Sequence, residues 1–216
     1  MKILIIIAAF IAATLLAAYS FPVHAACVFA DGKGHSDAQI ELLKKASDRI
    51  ESKFGSLRAE PIVYFFDQED EYLMRQLNQY GSTLHLAYRS CLAIGPFGQN
   101  VDVVAHELMH AELRERTGFW NRTTKIPSWF DEGLAMQVDY RDQYKLDQHV
   151  KTAYVRELKT GRKFNQANSG NLTLTYGAVK SEVQAWPQMN SPKEVFALLE
   201  KVRQGSSFDS IWHGAE

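Results

Sequence analysis

The spacing of apolar residues in the first half of the chain predicts a mixture of helices and short strands. Residues 36–54 repeat apolar side chains at intervals of three and four, which is typical of an amphipathic helix. Residues 61–66 form a β-branched and aromatic run, which is typical of a strand. A helix over 70–80 and two extended segments, at 83–88 and 91–94, complete this half.

The second half of the chain has mainly helical patterns, and the first of them is the strongest. Over residues 99–117 one apolar stripe runs through Val101, Val104, Ala105, Leu108 and Ala111. Asn100 suits the N-cap of this helix and Gly118 suits its C-terminal stop. Further helical patterns cover 128–140, 144–160, 175–186 and 192–204. This order indicates an α+β fold, with a small N-terminal mixed sheet with helices and a helical C-terminal half.

The N-terminus has the layout of an export signal. Lys2 precedes an apolar run over residues 3–19, and a small-residue cleavage site ends at Ala25. We therefore expect residues 1–25 to be a signal peptide and the mature protein to be secreted or periplasmic. One alternative is a retained membrane anchor, because an apolar run of this length nearly crosses a bilayer. A lipid anchor on Cys27 is a third, which His24 disfavours because a lipobox has an aliphatic residue there.

The net charge bears on the kind of binding partner, and the cysteines bear on disulfide formation. The formal net charge is −1, and no Lys/Arg run occurs, so we expect no nucleic-acid partner. Export to an oxidising compartment favours a disulfide between Cys27 and Cys91, the two cysteines of the chain. On the chain-entropy model that bond stabilises the fold by about 4 kcal/mol. The alternative is two unpaired thiols.

Two histidines and a glutamate lie together on the predicted helix over 99–117. His106 and His110 are four residues apart, so both imidazoles project from one face and can approach one metal ion. Glu107 lies one position round, where its carboxylate can reach a water at the metal without binding the metal. This H-E-x-x-H spacing predicts one Zn²⁺ per chain, with Glu107 as the general base. The alternative is a helix whose histidines only face solvent or pack in a core.

A catalytic zinc site needs a third protein ligand and an open fourth position. Residues 127–135 place Glu132 in the first turn of the next predicted helix, after a loop long enough to fold it back. Asp131 is the rival ligand, but the Ser128-x-x-Asp131 spacing resembles a capping box and assigns Asp131 to the cap. We therefore predict that Glu132 completes the metal ligands.

The two motifs together resemble the gluzincin peptidases. H-E-L-M-H at 106–110 and P-S-W-F-D-E-G-L-A at 127–135 match compact, peptidase MA-like families, and the match covers residues 100–140. The resemblance implies a zincin-like active-site helix and zinc-dependent hydrolysis of peptide bonds in a single metallopeptidase domain, residues 26–216. It also implies that an edge strand within 83–94 pairs with an extended protein or peptide substrate.

The same resemblance implies a residue that stabilises the oxyanion and one that orients a histidine. Tyr176 is the best candidate for the first role, with Tyr140 and His213 as weaker ones. The alternative for Tyr176 is an ordinary, partly buried tyrosine. Some gluzincins orient a histidine with an Asp four residues after the ligand Glu, but Met136 stands there. Asp102 could serve instead, although the helix dipole explains it equally well.

Two other functions compete with peptide hydrolysis. One is a deformylase-like zinc amide hydrolase with Cys91, fifteen residues before His106, as the third ligand. The other is a zinc-stabilised binding module without turnover, which has no need of a base such as Glu107. The histidines without ligand spacing are predicted to be surface residues: His35, His85 and His149. Specificity is expected from the loops around 81–98, 118–127 and 161–173, and the sequence favours neither endopeptidase nor exopeptidase action, nor any oligomeric state.

Overall fold

A computed structural model describes residues 35–69, 71–146 and 150–214. The first helix, α1, covers Asp37–Phe54, as the apolar spacing predicts. Its N-terminus is a capping box, because Ser36 accepts a hydrogen bond from the backbone of Gln39 and the Gln39 side chain accepts one from the backbone of Ser36. The buried face of α1 joins the main core through Ile50 and Phe54.

The sheet has three strands of mixed direction. These elements are β1 (Ile62–Phe65), α2 (Glu71–Gln76), β2 (Gly81–His85) and β3 (Ser90–Ile94). β3 is central and fully buried, with β1 parallel to it on one side and β2 antiparallel on the other. β2 is therefore an edge strand of this sheet, and it packs against the next helix.

That helix, α3, covers Val101–Thr117 and lies at the centre of the protein. The Asn100 side chain caps it by accepting a hydrogen bond from the backbone N–H of Val103, at 3.1 Å. It ends at Gly118, whose φ of 81° suits a residue without a Cβ. Because α1, β2 and β3 pack on α3 together with later helices, nearly every residue in its middle is buried.

The rest of the described chain is helical, which confirms the predicted α+β class. The α-helices are α4 (Phe119–Lys125), α5 (Ser128–Ala135), α6 (Gly161–Gln184), α7 (Val195–Arg203) and α8 (Phe208–His213). Short 3-10 helices cover Asp142–Tyr144, Ala153–Glu157, Pro187–Asn190 and Pro192–Glu194. α6 is kinked at Asn171, whose side chain accepts a hydrogen bond from the backbone N–H of Leu174 and so starts a new helical segment.

Several predicted boundaries are wrong. The predicted helix over 144–160 is absent from the described part of that segment, which forms 3-10 helices instead. Thr152 and Arg156 hold this segment in place through bonds to Glu182 on α6, so tertiary contacts decide its conformation. α5 ends at Ala135 rather than near 140, whereas α4 and the first part of α6 lie in predicted loops.

An aromatic cluster fixes α5 against the C-terminal helices. Trp129 and Phe130 are core residues, and their rings contact Trp212 and Phe208 respectively. Gly133 also allows a close approach of α5 to α6, since a Cβ there would lie 2.6 Å from the backbone oxygen of Val179. The backbones of α5 and α6 are therefore in close contact at this point, in addition to the contacts between their side chains.

Some expectations fall outside the described residues, namely the signal peptide at 1–25, Cys27, Asp70 and His149. Cys91 lies buried in β3 and is disulfide-bonded, as predicted, so the alternative of an unpaired thiol is wrong for Cys91. Within the described ranges, no helix is long and apolar enough to cross a membrane.

Candidate metal centre

Three side chains meet where α3 faces the start of α5. Nε2 of His106 and Nε2 of His110 are 3.1 Å apart. Oε2 of Glu132 lies 3.5 Å from the first of these nitrogens and 3.6 Å from the second. Oε2 is buried and has no hydrogen-bond partner among the described residues. The three predicted ligands are thus brought together, and this group could hold a metal ion.

His110 is oriented by Asp131, which the sequence analysis assigned wrongly to the helix cap. α5 has Pro127 at its N-cap and no side-chain cap bond. Oδ1 of Asp131 instead lies 2.7 Å from Nδ1 of His110, and Oδ2 accepts a hydrogen bond from Arg122 on α4. A carboxylate on the outer nitrogen of a histidine fixes its ring so that Nε2 is presented to a metal.

The contact between His110 and Asp131 also sets the protonation of both side chains. Burial opposes the charged imidazolium, but the Asp131 and Glu132 carboxylates outweigh it and raise the pKa of His110 to about 9. Burial likewise opposes the Asp131 carboxylate, but Arg122 and His110 hold the pKa of Asp131 well below its usual range. In the metal-free protein this histidine therefore carries a proton at neutral pH.

Asp139 is the carboxylate nearest the outer nitrogen of His106. Its Oδ2 lies 3.8 Å from Nδ1 of His106, which is buried without a hydrogen-bond partner among the described residues. Arg141 holds Asp139 through Nε and Nη2, and these bonds lower the pKa of Asp139 even though burial opposes the charge. The carboxylate beside His106 is therefore seven residues after Glu132, not four residues after it as in some gluzincins.

Glu107 lies beside this group and is held by the edge strand rather than by the possible metal site. The Thr83 hydroxyl on β2 donates to Oε2 of Glu107 at 2.6 Å. β2 comes close because residue 81 is glycine: a Cβ there would lie 2.8 Å from both Cγ and Oε1 of Glu107. The carboxylate is therefore confined between α3 and the strand.

A cavity opens next to Glu107 and brings in Tyr176. It is lined by His106, Glu107, Val103 and Tyr176, with Tyr80 and Leu172 on its more exposed side. The ring of Tyr176 lies 6.1 Å from the ring of His106, centroid to centroid. Burial and the nearby Glu132 and Glu107 carboxylates raise the pKa of Tyr176 well above its ordinary value, so its hydroxyl stays protonated.

The weaker candidates do not line this cavity. Tyr140 is half exposed, and its ring lies under the Arg49 guanidinium at 4.6 Å. His213 is exposed in the last turn of α8. Asp102 accepts hydrogen bonds from Arg49 at 2.6 Å and from the backbone N–H of Tyr140 at 2.9 Å, so it orients neither His106 nor His110.

His85 is not the ordinary surface residue that was predicted. It is half-buried at the end of β2, with Nδ1 3.0 Å from the Ser90 hydroxyl and Nε2 buried without a partner among the described residues. Burial and the charge of Arg122 lower the pKa of His85 to about 3, so this ring is neutral. His35 is also partly buried, with its ring edge-on to Phe65.

Asp139, Arg122 and Thr83 are site residues that no sequence pattern singled out, and Asp131 was singled out in the wrong role. Asp131 is the only one with a usable local signal, because it directly precedes a predicted ligand. Comparisons with protein-family models, with curated proteins and with solved structures found no match.

Proposed function

We propose that the protein is a zinc-dependent peptidase of the gluzincin type, which hydrolyses peptide bonds with Glu107 as general base. The observation that carries the proposal is the spacing of the three ligand atoms of His106, His110 and Glu132, 3.1, 3.5 and 3.6 Å apart. Tetrahedral zinc with ligands at about 2.0–2.1 Å separates its ligand atoms by about 3.3–3.4 Å. The three observed spacings are each within about 0.3 Å of that separation, which supports the proposal.

The chemistry of the ligands supports the same metal. Two imidazole nitrogens and one carboxylate oxygen are one of the ligand sets of catalytic zinc sites, in which a fourth position stays open. Zinc held there would supply Lewis acidity, which activates a water and polarises the scissile carbonyl group. Asp131 keeps His110 in the orientation for binding, as carboxylates behind zinc-binding histidines generally do.

Glu107 and Tyr176 supply the proton transfer and the oxyanion contact. Glu107 is next to a ligand but outside the ligand set, so its carboxylate is free to take a proton from the attacking water and deliver it to the leaving amine. The protonated hydroxyl of Tyr176, in the same cavity, can donate a hydrogen bond to the developing oxyanion.

The edge strand β2 is the proposed docking site for an extended protein or peptide substrate. It borders the cavity at Gly81, and on one side it lacks a neighbouring strand among the described residues. An extended peptide can add to such an edge through main-chain hydrogen bonds. With the signal-like N-terminus, we propose a peptidase acting outside the cytoplasm.

The two rival functions are weaker. A disulfide-bonded Cys91 offers no thiolate, which counts against a deformylase-like ligand set. A binding module without turnover has no use for a carboxylate confined beside the ligands, as Glu107 is.

Elemental analysis and a peptide-cleavage assay test the proposal together. We expect about one zinc per chain in the wild type, and marked zinc loss in Glu132→Ala. The zinc-loaded wild type should cleave members of an internally quenched peptide library, and Glu107→Gln should retain zinc but lose cleavage. A wild type without zinc overturns the site, whereas zinc without cleavage of any peptide favours the binding-module function.

A further inference from the structure

Thr83 makes a contact that sets the orientation of the Glu107 carboxylate. Its hydroxyl oxygen lies 2.6 Å from Oε2 of Glu107 and 3.2 Å from the backbone oxygen of the same residue. A hydroxyl has one proton to donate. Of the two oxygens within reach, the carboxylate oxygen is the closer and the stronger acceptor. Thr83 therefore donates to Oε2.

This bond makes the two oxygens of the carboxylate different. Oε2 is occupied by Thr83, whereas no donor among the described residues reaches Oε1. Oε1 lies on the side of Gly81, which lines the cavity. The oxygen that Thr83 does not occupy is thus the one beside Gly81, a residue that lines the cavity.

The backbone of β2 restricts the same side chain by contact. A Cβ at residue 81 would lie 2.8 Å from Cγ and Oε1 of Glu107 and 3.0 Å from Cγ1 of Val103. The Glu107 side chain therefore fits in the narrow space between α3 and β2 because residue 81 has no Cβ. Within that space the Thr83 bond selects the rotation of the carboxylate about its last torsion, which is broad for glutamate in the absence of such a bond.

We propose that Thr83 is a positioning residue for Glu107, which holds Oε2 so that Oε1 is the oxygen that accepts the proton of the attacking water. This inference rests on the proposed peptidase function. It makes the edge strand a part of the proton-transfer apparatus as well as a border of the cleft. Proton transfer needs a base placed within hydrogen-bond reach, and a displacement of about 1 Å can lower a rate about 100-fold.

The test compares steady-state cleavage of one quenched peptide by wild type, Thr83→Val and Thr83→Ser. Valine keeps the shape of the side chain and removes the hydroxyl, while serine keeps the hydroxyl. We expect Thr83→Val to lower kcat by about 10- to 100-fold with KM nearly unchanged, and Thr83→Ser to recover most of kcat. Zinc content and thermal midpoint are measured for each variant.

Ser52→Ala is the control, because it also removes a hydroxyl, but from an exposed residue of α1 whose side chain donates to the backbone oxygen of Arg49. It should leave kcat at the wild-type value. A Thr83→Val protein with wild-type kcat overturns the inference while the peptidase function stands. A variant that loses zinc, or raises KM without lowering kcat, also overturns it, because Thr83 then supports the fold or the substrate instead. A zinc-loaded wild type that cleaves no peptide removes both proposals.

Discussion

The proton on His110 should make metal affinity depend steeply on pH. Burial opposes that proton, but Asp131 and Glu132 outweigh burial and raise the pKa of His110 to about 9. A metal ion must displace the proton before it can bind Nε2. Because each pH unit below that pKa is a factor of ten, the apparent affinity at pH 7 should be about 100-fold weaker than above pH 9, or about 2.7 kcal/mol.

Asp131→Asn separates the two effects of this carboxylate. The amide still fits beside His110, but the charge that favours the imidazolium is gone, so the pKa of His110 should fall towards its ordinary value. At neutral pH the proton then competes less strongly with the metal ion for Nε2 of His110. Above pH 9, where no proton competes, the variant should bind about 10- to 100-fold more weakly, because a neutral amide supports the ligand less well than a carboxylate. The two curves should therefore approach each other near pH 7 and diverge at high pH.

The assay is a zinc competition titration against a chelator of known affinity, in steps from pH 6.5 to 9.5. Metal-free wild type should gain about one unit of log K per pH unit until about pH 9. Asp209→Asn, an exposed carboxylate on α8, is the control and should follow the wild type. A wild-type affinity that is flat between pH 7 and 9 would refute the reasoning, as would an Asp131→Asn curve parallel to the wild type.

The same raised pKa predicts the pH dependence of the metal-free fold. Because the pKa of His110 is higher in the folded than in the unfolded protein, its protonation stabilises the fold fully below about pH 6.5. This contribution is lost as the pH rises to about 9. Urea unfolding should therefore show a free energy of unfolding that is about 3 kcal/mol lower at the higher pH. Gly81→Ala should push Glu107 aside and lower kcat at least about 10-fold at unchanged zinc content, measured with the quenched peptide. Tyr176→Phe should lower kcat about 100-fold or more without zinc loss, and a wild-type kcat would exclude the oxyanion role. Phe130→Ala should cost about 3–5 kcal/mol in urea unfolding, because that ring is fully buried; a cost below about 1 kcal/mol would contradict the packing.

Elements with their own end signals could be predicted from the sequence. α1 and α3 follow the expected bounds because caps at Ser36, Asn100 and Gly118 accompany an apolar stripe. The segment after residue 140 has an apolar pattern but takes its shape from contacts with α6, which no local pattern reveals. Helix propensity is a weak guide where such contacts decide.

The candidate site divides in the same way. His106 and His110 are fixed by one turn of one helix, so their spacing alone predicts that they share a face. Asp131 was misassigned because a capping box and a carboxylate behind a histidine use the same residue type near a helix start. Arg122 and Thr83 come from separate elements, and only the folded chain brings them to the site.

The three side chains that could hold a metal come from two helices, and α5 in turn packs closely on α6 at Gly133. An ion bound by α3 and α5 together would cross-link the sheet side of the protein to its helical side. Without it, these two sides can separate at a lower cost than global unfolding, and segments that open locally are where proteases cut first. We therefore expect metal supply to govern the lifetime of the protein: proteases should cut the metal-free form between α3 and α5, and the loaded form should persist.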